Sequence, residues 1–77
     1  MDEDLARILV VGGTIASREL TRLYDLLRLH LPEENELRLG VASALAEVGS
    51  RVIQPAFDAY PELRIEVERQ LGKYSAT

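Results

Sequence analysis

Apolar side chains recur at intervals of three and four along most of this chain. Leu20, Leu23, Tyr24, Leu27 and Leu31 fall on one helical face, as do Leu37, Val41, Ala44, Leu45 and Val48. Leu63, Val67, Leu71 and Tyr74 repeat the spacing near the end. The punctuation agrees with three helical segments. Pro32-Glu33-Glu34-Asn35 separates the first two, with Asn35 placed to cap the second. Gly49 stands where a C-terminal cap belongs, Ser50 can cap a further helix, and Pro61 interrupts the chain before the last segment. Between them, Ile53, Ala56, Phe57 and Tyr60 form the stripe of a short helix that contains Pro55. Proline has no N–H and crowds the preceding turn, so a kink, or a helix that starts near Gln54, is expected there.

The first dozen residues admit two readings. Leu5, Ile8, Leu9 and Gly12 fit a helix face, with acidic residues in its first turn to complement the dipole. Ile8-Leu9-Val10-Val11 before Gly12-Gly13 also reads as a buried strand and a turn. No second strand is evident for it to pair with, which favours helix. The expectation is an all-α domain spanning residues 1–77, with four to five short helices in antiparallel pairs at about 3–12, 15–31, 35–48, 51–60 and 62–74.

Composition narrows the chemistry. Seventy-seven residues suffice for one domain, and 47% apolar with 29% charged residues is a globular balance. With three Tyr, one Phe and no Trp, aliphatic side chains must build the core. The absence of cysteine excludes a disulfide scaffold and a thiolate zinc site, and a single histidine, His30, cannot form a His-rich one. The start Met-Asp-Glu-Asp is acidic where an export signal would be basic, so a cytoplasmic protein is expected. The longest uncharged stretch, residues 8–17, is too short to span a bilayer. A net charge of −4 argues against nucleic acid, whose binding depends on neutralising phosphates.

Two stretches align internally. Glu36-Leu37-Arg38-Leu39-Gly40-Val41 matches Glu62-Leu63-Arg64-Ile65-Glu66-Val67, and Ser17-Arg18, Leu20 and Tyr24-Asp25 match Ser50-Arg51, Ile53 and Phe57-Asp58. Leu37-Arg38, Ala42, Ala44-Leu45 and Val48-Gly49 resemble the second helix of a HEAT-like repeat, and Pro55-Ala56-Phe57 resembles that family's first helix. The resemblance covers about residues 17–74 and weakens in the second unit, where Glu66 and Glu68 replace small residues. It implies stacked antiparallel helix pairs used for protein recognition. A compact bundle built from the same segments is the competing architecture. In the resembled family the Arg of each unit pairs with an acid near the turn. This would join Arg38 to Glu34, and Arg64 to Asp58 or Glu62.

Candidate chemistry is sparse. Gly12-Gly13-Thr14-Ile15-Ala16 resembles the nucleophile segment of bacterial-type asparaginases, which would make Thr14 the attacking group. A nucleophilic Thr needs a base and an oxyanion site. That family builds them in a large α/β domain, for which this chain has no room. The segment therefore reads as a turn in which two glycines permit positive φ and Thr14 caps the next helix. His30 sits near a helix C-terminus, where it complements the dipole. Asp2, Glu3 and Asp4, like Glu33 and Glu34, lie at helix starts, where negative charge is stabilising.

The reading is a non-catalytic protein-binding or regulatory module, with no cofactor and no metal. Its partner would be another protein, basic by charge complementarity, or a second copy of itself. Neither nucleic acid nor a membrane is expected as a partner. Second helices line the concave surface of a HEAT-like stack, so the resemblance places partner contacts at Ser43, Glu47, Glu66, Arg69, Gln70 and Lys73. The alternative is a structural homodimer whose seam is Ile8, Leu9, Val10 and Val11, since that run carries more apolar residues than one buried stripe requires. A small enzyme or ligand-binding bundle ranks behind both.

Overall fold

Asp2 starts the first helix. Its carboxylate accepts the Leu5 N–H at 2.7 Å, and Glu3 and Asp4 place negative charge in the first turn. From there α1 runs without interruption over Glu3–His30, with Arg28 and His30 in its last turn. This corrects the break expected at Gly12-Gly13. No described residue has a positive φ, so neither glycine forms a turn and Thr14 caps nothing. A computed structural model describes the backbone of residues 1–75 and the side chains of residues 1–69.

The chain leaves α1 at Leu31, whose backbone is extended, as the following Pro32 demands. Asn35 then caps α2 (Glu36–Val48) as expected, its Oδ1 accepting the N–H groups of Leu37 at 2.9 Å and Arg38 at 3.3 Å. Gly49 does not end this helix. Its φ of −61° and ψ of −51° are helical, and the backbone winds on through a π-helical turn, Gly49–Ile53, into α3 (Gln54–Ala59). The Gln54 N–H bonds to the Gly49 carbonyl, five residues back. Such a wide turn gives the Pro55 ring room that a tight α-turn would deny it. The expected Gly49 cap and Ser50 start are thus replaced by one rod over residues 36–59.

After Tyr60 and Pro61 the chain turns into α4 (Glu62–Ser75). The all-α class stands, with no strand among the described residues. The count does not: the described residues form three continuous helical rods, not four to five helices, because two expected breaks are absorbed into the rods. A rod without a turn leaves no separate second hairpin, so the packing gives no sign of stacked HEAT-like units.

The five-residue connection folds the rod 36–59 back antiparallel along α1. Arg38 lies over the Tyr24 ring, Ile53 reaches Gly13, and Tyr60 donates its hydroxyl hydrogen to the Met1 carbonyl at 2.9 Å. Small side chains allow the close approach: Ala6, Gly13 and Ala56 are all buried. α4 covers the N-terminal end of this pair. The core consists of Ala6, Val10, Ala56 and Leu63, with Leu9, Phe57, Tyr60 and Val67 packed around it.

This is a thin assembly. Its extents are 41 × 33 × 14 Å, and its radius of gyration is 14.4 Å. A compact chain of this length would have a radius near 11–12 Å. The larger observed value marks a flattened assembly that fills its volume less fully than a compact domain. Domains normally bury side chains between two layers. Here burial is confined to the seams between rods. Among the described residues no helix is long and apolar enough to cross a membrane.

Candidate interaction surface

α1 is apolar on two opposite sides. Its inner side turns Ala6, Val10 and Gly13 fully inward, with Leu9, Ser17, Leu20, Tyr24 and Leu27 half-buried along the rod 36–59. Its outer side carries Leu5, Ile8, Val11, Ile15, Leu23, Leu26 and Leu29, exposed by between 44% at Leu5 and 81% at Leu29. Intervals of three or four, with one of eight between Ile15 and Leu23, keep these seven on one face for nearly the whole helix. Midway, the same face carries Glu19 and Arg22, joined by an ion pair at 2.8 Å. Scattered exposed aliphatics are ordinary on protein surfaces, whereas an apolar face that runs the length of a helix, interrupted by one internally neutralised ion pair, marks an interaction site. This stripe has more large aliphatic side chains than the buried core of the described structure.

The expected seam at Ile8–Val11 therefore divides. Val10 is 2% exposed and belongs to the core, and Leu9 packs against it. Ile8 and Val11 point outward at 66% and 58%. A helix cannot present four consecutive residues to one partner, because each step turns the side chain by about 100°. The outer stripe instead extends to Leu29, more than four turns beyond the run that stands out in the sequence. Its signal lies in the leucines at 23, 26 and 29, which a single-stripe reading either merges with the inner face or passes over.

The polar face expected on α2 and α4 is less coherent. Glu47 pairs with Arg51 on its own rod, and Glu66 pairs with Arg7 of α1 at 3.5 Å. Ser43 and Arg69 are exposed, on different helices. No hydrogen bond or ion pair among the described residues connects Ser43 or Glu47 with Glu66 or Arg69. The side chains of Gln70 and Lys73 lie outside the described residues.

Arg38 and Arg64 hold the structure together by means other than the expected acids. Arg38 donates from Nη1 to the Leu31 carbonyl at 3.2 Å and lies 5.6 Å from the Tyr24 ring centre, with its Nε buried and without a partner. It thereby satisfies a carbonyl that the end of α1 leaves free. Arg64 donates to Gln54 Oε1 at 3.3 Å and sits 4.9 Å above the Phe57 ring, so it ties α4 to α3. Each ring contact is worth about 0.5–1 kcal/mol at such partly exposed positions.

The groups considered for chemistry are dispersed. Thr14 is half-buried within α1 and His30 is the exposed last residue of the same helix. Sixteen helical steps put them about 24 Å apart along one axis, far beyond the reach of a nucleophile and its base. Among the described residues no three His, Asp or Glu side chains converge as a metal site requires. An apolar cleft of about 240 Å³ lies between α1 and α4, lined by Arg7, Val10, Val11, Leu63, Glu66 and Val67. Val11 belongs to its rim, so this cleft opens beside the outer stripe. The chain matches no protein-family model, no curated protein and no solved structure.

Proposed function

We propose that this protein is a non-catalytic interaction module whose docking surface is the outer face of α1. The observation that supports this reading is the stripe Leu5, Ile8, Val11, Ile15, Leu23, Leu26 and Leu29, which stays exposed while the core buries only four apolar residues among those described. Hydrophobic burial drives both folding and association, so a chain that leaves its longest apolar stripe in water gains most by covering it. The dispersed placement of Thr14 and His30 supports the non-catalytic part of the reading. The radius of gyration of 14.4 Å, larger than a compact chain of this length would have, supports the docking part, because the single chain leaves its helices incompletely covered.

The test is contact-dependent. A photoreactive residue replacing Ile15 or Leu26 should give covalent adducts in cells, whether with a second copy or with another protein. The same residue replacing Glu33, in the exposed turn before α2, should give none. Equal labelling at all three positions, or none at Ile15 and Leu26, refutes the assignment of the surface.

A further inference from the structure

We infer that the occupant of this face is a second copy of the chain, with the two α1 helices antiparallel and their two-fold axis at the level of Ser17. The inference rests on the docking role of the outer face and specifies what covers it. The face is its own reverse. Leu5 and Leu29 are equidistant from Ser17, as are Ile8 and Leu26, and Val11 and Leu23. At the centre the reversal brings unlike groups together: Ile15 falls opposite Glu19, whose charge its own Arg22 neutralises, and Gly12 falls opposite Arg22. A two-fold interface brings residue i of one copy to residue j of the other and the reverse, so it requires such a reversed match. An unrelated partner does not.

Side-chain sizes agree along this register. At each outer level an aliphatic side chain meets an aliphatic side chain, Ile8 with Leu26 of the second copy and Val11 with Leu23 of the second copy. Near the centre, Arg22 of one copy lies at the level of Gly12 of the other. A Cβ added at Gly12 would meet nothing within 4 Å in the single chain, so no contact within the fold explains this glycine. Under the aliphatic stem of Arg22 from a second copy, the missing side chain becomes the space that stem needs. Each Glu19–Arg22 pair arrives already neutralised by its own contact of 2.8 Å, so pairing does not bury a lone charge. The acidic first turn of each helix lies near the level of the other copy's Arg28 and His30, and the two helix dipoles oppose.

The area is sufficient. Seven aliphatic residues of this exposure offer on the order of 100 Å² each, so covering them fully would bury about 700 Å² per copy, within the range of a standard interface.

Complementary charges test both the pairing and its direction. The wild type at tens of micromolar should show twice its chain mass of 8.6 kDa by sedimentation or light scattering. Ile8→Glu alone and Leu26→Lys alone should each weaken the dimer roughly a hundredfold, because either buries a charge without a partner, unlike Glu19 with its own Arg22. Mixed in equal amounts, the two variants should recover the doubled mass. In the antiparallel pair the new Glu meets the new Lys, and the untouched Leu26 meets the untouched Ile8. Should either variant lose helicity on dissociating, the mixture should recover helicity and mass together.

A wild-type dimer whose variant mixture stays monomeric overturns the antiparallel register. A wild type that remains monomeric overturns self-pairing, and adducts at Ile15 with a different protein would then keep the docking role while replacing its occupant. If no adduct forms either, both readings fail together.

Discussion

The contact between Gly13 and Ile53 allows one methyl group to be placed where it should harm and, elsewhere, where it should help. A Cβ built on Gly13 would stand 2.6 Å from Cγ1 and 3.2 Å from Cδ1 of Ile53, and 3.4 Å from Cγ1 of Val52. The nearest atom is close to the rod's backbone, so it cannot swing aside as a chain end would. Gly13→Ala must therefore push the π-helical turn away from α1. Overpacking of this kind costs about 1–3 kcal/mol. Against it stands the gain of about 1 kcal/mol from replacing glycine by alanine within a helix. The net expectation is a loss of about 0–2 kcal/mol. Gly40→Ala is the reference, because its new methyl meets nothing within 4 Å, and it should stabilise by about 1 kcal/mol. The helix-propensity gain cancels between the two variants, so their difference isolates the overpacking cost, about 1–3 kcal/mol. Urea unfolding followed by helical circular dichroism at one fixed protein concentration measures it. A Gly13→Ala protein as stable as Gly40→Ala would refute the close approach and, with it, the account of why Gly13 lies inside an unbroken helix.

Other positions give simpler expectations. Leu63→Ala removes the largest buried side chain among the described residues and should cost about 2–4 kcal/mol in the same unfolding assay. Asn35→Ala removes both bonds at the start of α2 and should cost about 1 kcal/mol, whereas Asn35→Asp should retain most of that stability. Tyr60→Phe deletes the bond to the Met1 carbonyl at an exposed site, for a loss of no more than about 1 kcal/mol, and should speed hydrogen exchange in the first turn of α1. Val10→Asp should unfold the protein, while Ile8→Asp should leave its helicity intact, at least when paired with a complementary Leu26→Lys copy.

Much of the helical framework is legible in local signals. Asn35 as a cap, Pro61 as a break, a helix from near Gln54, and Ala56, Phe57, Leu63 and Val67 as inward positions all come from spacing and capping chemistry. The failures share one cause. Gly12-Gly13 and Gly49 read as punctuation because glycine weakens a helix locally, by about 1 kcal/mol. Here tertiary contact decides at Gly13, where Ile53 occupies the space a side chain would take. At Gly49 the same rod continues because Pro55, six residues later, is accommodated by a wider turn that no propensity scale foresees. The docking face is half legible. Ile8 and Val11 stand out, but as part of a consecutive run that α-helical geometry splits between core and solvent. Leu23 fits the inner stripe by spacing, three residues from Leu20 and one from Tyr24. Only the packing of the rod 36–59 fixes which of these neighbours faces inward.

The π-helical turn at Gly49–Ile53 also bears on which length changes the gene can tolerate. A π turn holds one residue more than the α turn it replaces. Removing a single residue there would close the wide turn to an α turn and leave the downstream helix near its present phase, because the π turn already absorbs the extra residue. Ala56 would still face Ala6, and Leu63 would keep its place in the core. The cost would fall on Pro55, whose ring would meet the carbonyl of a tight turn. A homologue with a gap within residues 49–53 should therefore lack proline at the position of Pro55. A single-residue deletion in the regular turns of α2 has no such outlet: it would rotate everything downstream by about 100° and dismantle the core.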